Sequence, residues 1–146
     1  MAMLCDTNVW LALTLDGHKY HSAARDWLDS VDDRAEVHFC RATQQSFLRL
    51  LTTRAVLNAY GNPPLTNDEA WETYEALLAD DRIAMASNEP SGLDTSWKTF
   101  ALTGKSSPKV WMDAYLAAFA SAAGLRLVTI DSDFRQFTGL DTHFLR

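Results

Sequence analysis

Apolar positions along the chain alternate between two rhythms. Met3–Cys5 is a short apolar run that stops at Asp6 and reads as a buried first strand. From about His18 to Val31, residues Ala23, Ala24, Trp27, Leu28 and Val31 recur at helical spacing. Val37–Cys40 is a second strand. Thr43 to about Leu57 then reads as one helix, with Phe47, Leu48, Leu50, Leu51 and Val56 on its apolar side. Tyr60–Leu65 contains Gly61, Pro63 and Pro64 and breaks both rhythms. Thr66-Asn-Asp-Glu69 fits a capping box and opens a helix through Trp71, Tyr74, Leu77 and Leu78. Arg82–Ala86 is a third strand, Asn88–Gly92 a second loop, and Asp94–Leu102 a further helix ending at Gly104.

The last third is the most strongly patterned. Ser107 as N-cap, with Pro108 at the first helical position, opens a helix that runs to Ala123 and stops at Gly124. Leu125–Ile130 is short, apolar and β-branched, the strongest strand of the chain. A short helix near Phe134–Phe137 and a strand near His143–Leu145 follow. Strands alternating with helices predict an α/β fold with a mainly parallel sheet, joined by right-handed crossovers. Ligands in such sheets collect beyond the carboxyl ends of the strands. Asp6 and Asp131 each follow a strand, so both are expected on that one edge.

Composition narrows the picture. The chain has 146 residues, 47% hydrophobic and 22% charged, which fits one globular domain spanning 1–146. Met1–Cys5 has no basic segment and is a poor signal peptide, and no run reaches the roughly 20 apolar residues needed to span a bilayer. The expectation is a cytoplasmic protein with no membrane partner. Cys5 and Cys40 lie in apolar surroundings and read as buried thiols, not as a disulfide or a zinc site. His18, His21, His38 and His143 show no ligand spacing. A net charge of −6 argues against a protein held on nucleic acid by broad phosphate neutralisation. It does not argue against an enzyme whose acids are offset locally by a divalent ion.

The candidate chemistry lies in the acids. Magnesium and manganese take oxygen ligands, so a phosphodiester-cleaving site needs carboxylates converging from distant parts of the chain. Cys5-Asp-Thr-Asn8 ends the first strand, Ile130-Asp-Ser-Asp133 ends a late one, and Asp113 lies in the second turn of the Ser107–Ala123 helix. Ala117 and Ala120 follow Asp113 at helical spacing, which puts its carboxylate on a small-residue stripe suited to packing on the sheet. A carboxylate there calls for a cation or strong donors. Each acid also has a plainer reading: Asp6 as a helix cap, Asp113 at a solvent margin near a helix N-terminus, Asp131 and Asp133 as turn residues.

At these residues the sequence resembles the PIN-domain family, and within it the VapC-type toxins of toxin–antitoxin pairs. The resemblance covers essentially the whole chain and rests on Leu4-Cys-Asp-Thr-Asn-Val-Trp10, Asp113-Ala-Tyr-Leu-Ala-Ala118 and Leu127-Val-Thr-Ile-Asp-Ser-Asp-Phe134. Cys40–Leu50 also resembles the second-strand-to-helix segment of one VapC subgroup. The resemblance implies a three-layer α/β/α sandwich around a central parallel sheet, a divalent-metal-dependent endoribonuclease using Mg2+ or Mn2+, inhibition by a cognate antitoxin, and a homodimer. It implies Asp6, Asp113 and Asp131 as catalytic metal ligands, with Asp133 auxiliary.

Thr7, Asn8 and Gln44 are candidates for orienting that site. Arg41, Arg49, Lys105 and Lys109 are candidates for steering the RNA backbone. Where many members carry a Glu early in the helix after the second strand, this chain has Gln44, Gln45 and Ser46. That departure predicts weaker metal binding or a single firmly bound ion. Two other readings stand beside the nuclease: a receiver-like signalling domain that accepts phosphate on a strand-end Asp, and a catalytically silent PIN fold that acts as a binding module.

Overall fold

The computed structural model describes Met1–Arg146 and orders its elements as β1 (Met3–Cys5), α1 (Thr7–Thr14), α2 (His21–Asp29), β2 (Val37–Cys40), α3 (Arg41–Leu51), α4 (Arg54–Ala59), α5 (Asn67–Leu78), β3 (Ile83–Ala86), α6 (Leu93–Ala101), α7 (Val110–Ala123), β4 (Arg126–Thr129), a 3-10 turn (Ser132–Gln136) and β5 (Thr142–Phe144). The five strands form one sheet in the order β3-β2-β1-β4-β5, and every pairing is parallel. No helix is long and apolar enough to cross a membrane.

Side-chain parity explains the three layers. Successive residues of a strand point to opposite faces. Cys5, Val37, Phe39 and Val128 join one apolar cluster with Val9, Trp10, Leu28, Phe47, Leu51 and Tyr74, so α1, α2, α3 and α5 cover that face. Leu4, Cys40 and Leu127 point the other way, into a second cluster with Leu93, Leu116, Ala117, Phe119 and Phe134 from α6, α7 and the 3-10 turn. Cys5 and Cys40 are therefore buried on opposite faces as free thiols. Within the first cluster Trp10 stacks flat on Phe39, with ring centroids 3.7 Å apart. It is a core residue.

Three boundaries differ from the sequence expectation. Thr43–Leu57 is two helices, α3 and α4, because the Thr52 and Thr53 hydroxyls bond back to the Arg49 carbonyl and compete with helix continuation. A further helix, α1, follows Asp6 directly. The α7 helix begins at Val110, so Asp113 lies in its first turn, not its second. Pro108 and Lys109 form the turn before it, and the Ser107 carbonyl accepts from Val110 N–H. Gly124, at φ 68, closes α7 in the left-handed conformation that glycine adopts without strain. The Thr66/Glu69 capping box is present in both directions.

Candidate active site

The register of β1 on β4 builds the site. Leu4 pairs with Leu127 and Cys5 with Val128, so Asp6 lies beside Thr129, and Asp6 N–H donates to the Val128 carbonyl. Parity then turns Asp6 to the same face as Leu4, and Thr129 to the same face as Leu127, which is the face that α7 covers. The Thr129 hydroxyl donates to Asp6 Oδ2 at 3.0 Å and accepts from Asp131 N–H at 3.0 Å. This buried threonine ties the two strand-end acids together. Its position as the lone polar residue inside Leu-Val-Thr-Ile is the one sequence signal that marks it.

Asp6 occupies the N-cap position of α1 yet makes no capping hydrogen bond with its side chain. Its carboxylate is committed elsewhere. Burial raises its pKa to about 6, and the charges of Asp113 and Asp131 add to that rise, against opposing hydrogen bonds from Thr129 and the Thr7 backbone. Asp113 also titrates above the ordinary carboxylate range. Burial is the larger cause, Lys109 opposes it, and Asp131 and Asp133 reinforce it. Thr129, which bonds Asp6 and the Asp131 backbone, and Lys109, which pairs with Asp131 and lies near Asp113, tie the strand-end acids and the helix acid to one locus. Ala114 and Ala117, fully buried beside Asp113, bring α7 close to the sheet.

Lys109 is the cation of this cluster. Its ammonium lies 2.7 Å from Asp133 Oδ2, 3.2 Å from Asp131 Oδ2 and 3.9 Å from Asp113 Oδ2. Hydrogen bonds to Asp133 and then Asp131 raise its pKa above the usual lysine value. Asp131 Oδ1 accepts from Asp133 N–H and starts the 3-10 turn, so the turn reading of Asp131 holds for one of its oxygens. The donor set is all oxygen, which suits a hard divalent cation, and a positive group already sits among three of the carboxylates. No three His, Cys, Asp or Glu side chains converge at ligand distance on one point.

The other expected residues scatter. Thr7 is buried beside Asp6, with its backbone amide toward that carboxylate. Asn8 does not face the acids: its Oδ1 accepts from His18 Nε2 at 3.1 Å, while His18 Nδ1 accepts from Tyr20 N–H. Gln44 Oε1 accepts from the Arg41 guanidinium, and neither residue forms a hydrogen bond or ion pair with an acid of the site.

Arg49 lies eight residues along α3 from Arg41, about 12 Å down the helix from the strand end, beside a 300 Å³ cavity shared with Trp71. That distance removes it from the site. Lys105 is exposed in the loop before α7. Lys109 is bonded to the acids and is not a free steering charge. Between α6 and α7, a shallow apolar pocket of about 290 Å³ is lined by Ala42, Trp97, Trp111, Met112 and Tyr115, with Trp111 54% exposed.

Comparison with known proteins identifies the framework that carries these acids. A PIN domain model matches residues 3–140. The chain belongs to the PIN-domain family. Within that family it groups with the VapC proteins: it is 58% identical over 143 residues to Ribonuclease VapC41 of Mycobacterium tuberculosis, covering 98% of each chain. It is 27% identical to Ribonuclease VapC29 of the same organism, covering 95% of this chain and 92% of that one. Among solved structures, VapBC2 from Rickettsia felis, bound to a DNA fragment from its promoter, superposes with TM-score 0.71 at 11% identity over the full length of both chains. Mycobacterium tuberculosis VapC20, described as a sarcin-ricin loop cleaving toxin, superposes with TM-score 0.66 at 18% identity, covering 95% and 96% of the two chains. These similarities agree with the three-layer α/β/α PIN fold.

Proposed function

We propose that this PIN domain is a divalent-metal-dependent endoribonuclease, the toxin of a toxin–antitoxin pair, whose ion is held by Asp6 and Asp113 with Asp131 and Asp133 completing the site. The observation that carries the reading is the single locus of repelling carboxylates, drawn from β1, β4 and α7, at the carboxyl edge of a parallel sheet. Desolvated like charges destabilise the fold unless a cation relieves them, so such a cluster points to a cation-binding role. Likeness to Ribonuclease VapC41 across nearly the whole chain supports RNA as the substrate class. It also supports an antitoxin as partner. A homodimer is the expected assembly.

A divalent ion in this site would activate water for attack on the phosphodiester and offset the charge that develops on the phosphoryl oxygens. The protein's own part is positional. Thr129 fixes the rotamer of Asp6 by its hydroxyl, so that carboxylate faces α7 rather than capping α1. Asp113 is carried by a helix seated closely on the sheet through Ala114 and Ala117. Asp131 is held at its backbone by Thr129 and at Oδ1 by Asp133 N–H, leaving Oδ2 for a cation.

The test incubates the purified protein with structured RNAs, with Mn2+ or with chelator. Cleavage that requires Mn2+ or Mg2+ and is lost in Asp113→Asn, with unchanged circular dichroism, is the expected result. Full activity of Asp113→Asn would remove the assignment. Metal-independent RNA binding without any cleavage would instead favour the silent binding module, the reading that neutral Gln44 supports.

A further inference from the structure

Lys109 precedes the first turn of α7, one turn before Asp113, and its ammonium reaches three carboxylates from two elements. No other lysine, arginine or histidine forms an ion pair with Asp113, Asp131 or Asp133. The lysine side chain is 63% exposed, as is most of Asp133 at 58%, while Asp131 is 30% and Asp113 14% exposed, so the cation sits at the mouth of the cluster with Asp131 and Asp113 deeper. An exposed ammonium on a flexible four-carbon stem can swing into water at little cost, unlike a buried ion pair.

We propose that Lys109 is a tethered cation that holds the Asp113, Asp131 and Asp133 carboxylates together until a divalent ion displaces it, and so sets the affinity of the site for that ion. The inference rests on the reading that these acids take a divalent ion. Two cations a few ångströms apart repel each other strongly in a partly desolvated site, so the ammonium and the ion are alternative occupants. The same residue solves a problem of the ion-free protein. It neutralises part of a cluster of like charges that would otherwise push α7 away from the end of β4. The carboxylates of Asp113, Asp131 and Asp133 are arranged around that ammonium.

The experiment is Mn2+ titration by calorimetry on the full chain, comparing wild type with Lys109→Met and Lys109→Arg, alongside melting curves in chelator and in saturating Mn2+. Lys109→Met is expected to bind Mn2+ about tenfold more tightly, because a repelling charge is gone. It should also melt lower in chelator and gain more from Mn2+ than wild type does. Lys109→Arg, which keeps the charge, should behave as wild type. Equal or weaker Mn2+ binding by Lys109→Met overturns the proposal. If wild type binds Mn2+ and Asp113→Asn does not, while Lys109→Met binds no more tightly than wild type, the metal reading stands and this inference alone falls. If wild type binds no Mn2+, the metal reading falls with it. Should Lys109→Met fail to fold, Lys109→Gln supplies the same comparison.

Discussion

The carboxyl edge of the sheet has two halves that began from the same geometry and hold opposite chemistry. At the ends of β1 and β4, Asp6, Asp131 and the helix acid Asp113 are crowded together, partly desolvated and mutually repelling. At the end of β2, Cys40, Arg41, Thr43 and Gln44 satisfy one another: Thr43 closes a capping interaction with the Cys40 backbone, and Gln44 Oε1 accepts from Arg41. Both halves open helices at strand ends, where a parallel sheet offers a site. Only one leaves charges whose neutralisation must come from a flexible lysine or from outside. A strand end supplies the opportunity, and unresolved like charge is what marks the place where it is used.

The largest break of that contrast is removal of the helix acid. Asp113→Asn should lower RNA cleavage on the order of 10³-fold, as loss of a group that stabilises developing charge does. The fold should remain and melt no lower without metal, since a repelling charge is removed. Next comes the tie between the strand ends. Thr129→Val keeps shape but leaves Asp131 N–H unpaired and frees Asp6 to rotate. Cleavage or Mn2+ affinity should fall about 10- to 100-fold, with about 1–2 kcal/mol lost from stability in urea melts.

Asp6 sharpens the contrast through pH. Its folded pKa, about 6, exceeds the ordinary 3.8, so the folded chain holds this proton more tightly than the unfolded chain. Asp6 therefore contributes stability below about pH 4 and loses it as pH rises through about 6. Asp6→Asn should stabilise the ion-free protein on the order of 2 kcal/mol at pH 7.5 and lose that advantage near pH 4, read from melts in chelator. An equal advantage at both pH values would contradict the desolvated, repelling site. The smallest effect tests the quiet half. Gln44→Glu should pair with Arg41 and raise Mn2+ affinity by no more than about threefold. A tenfold gain would mean that position 44 already faces the ion.

Much of this was legible in the chain because periodicity and punctuation are local. All five strands and the capping box at Thr66 appear where the apolar rhythm and turn residues put them. Asp6 and Asp131 were drawn to one edge by the parallel-sheet rule alone. The misses were tertiary. The break between α3 and α4 depends on hydroxyl-to-carbonyl bonds at Thr52 and Thr53, which composition does not announce. Asn8 sits beside the site in sequence, but His18, ten residues on, claims its amide. Thr129 and Lys109 matter only through partners whose proximity is set by the β1–β4 register and by the start of α7. Lys109 was legible as a charge four residues before Asp113, but not as the cation of three acids.

Anomalous diffraction at the manganese edge, from crystals grown or soaked in Mn2+, tests the central claim most directly. The account predicts a peak in contact with Asp6 and Asp113, with the Lys109 ammonium displaced from Asp131. Ordered Mn2+ elsewhere on the surface, or none near these acids while Lys109 keeps its place, would contradict it.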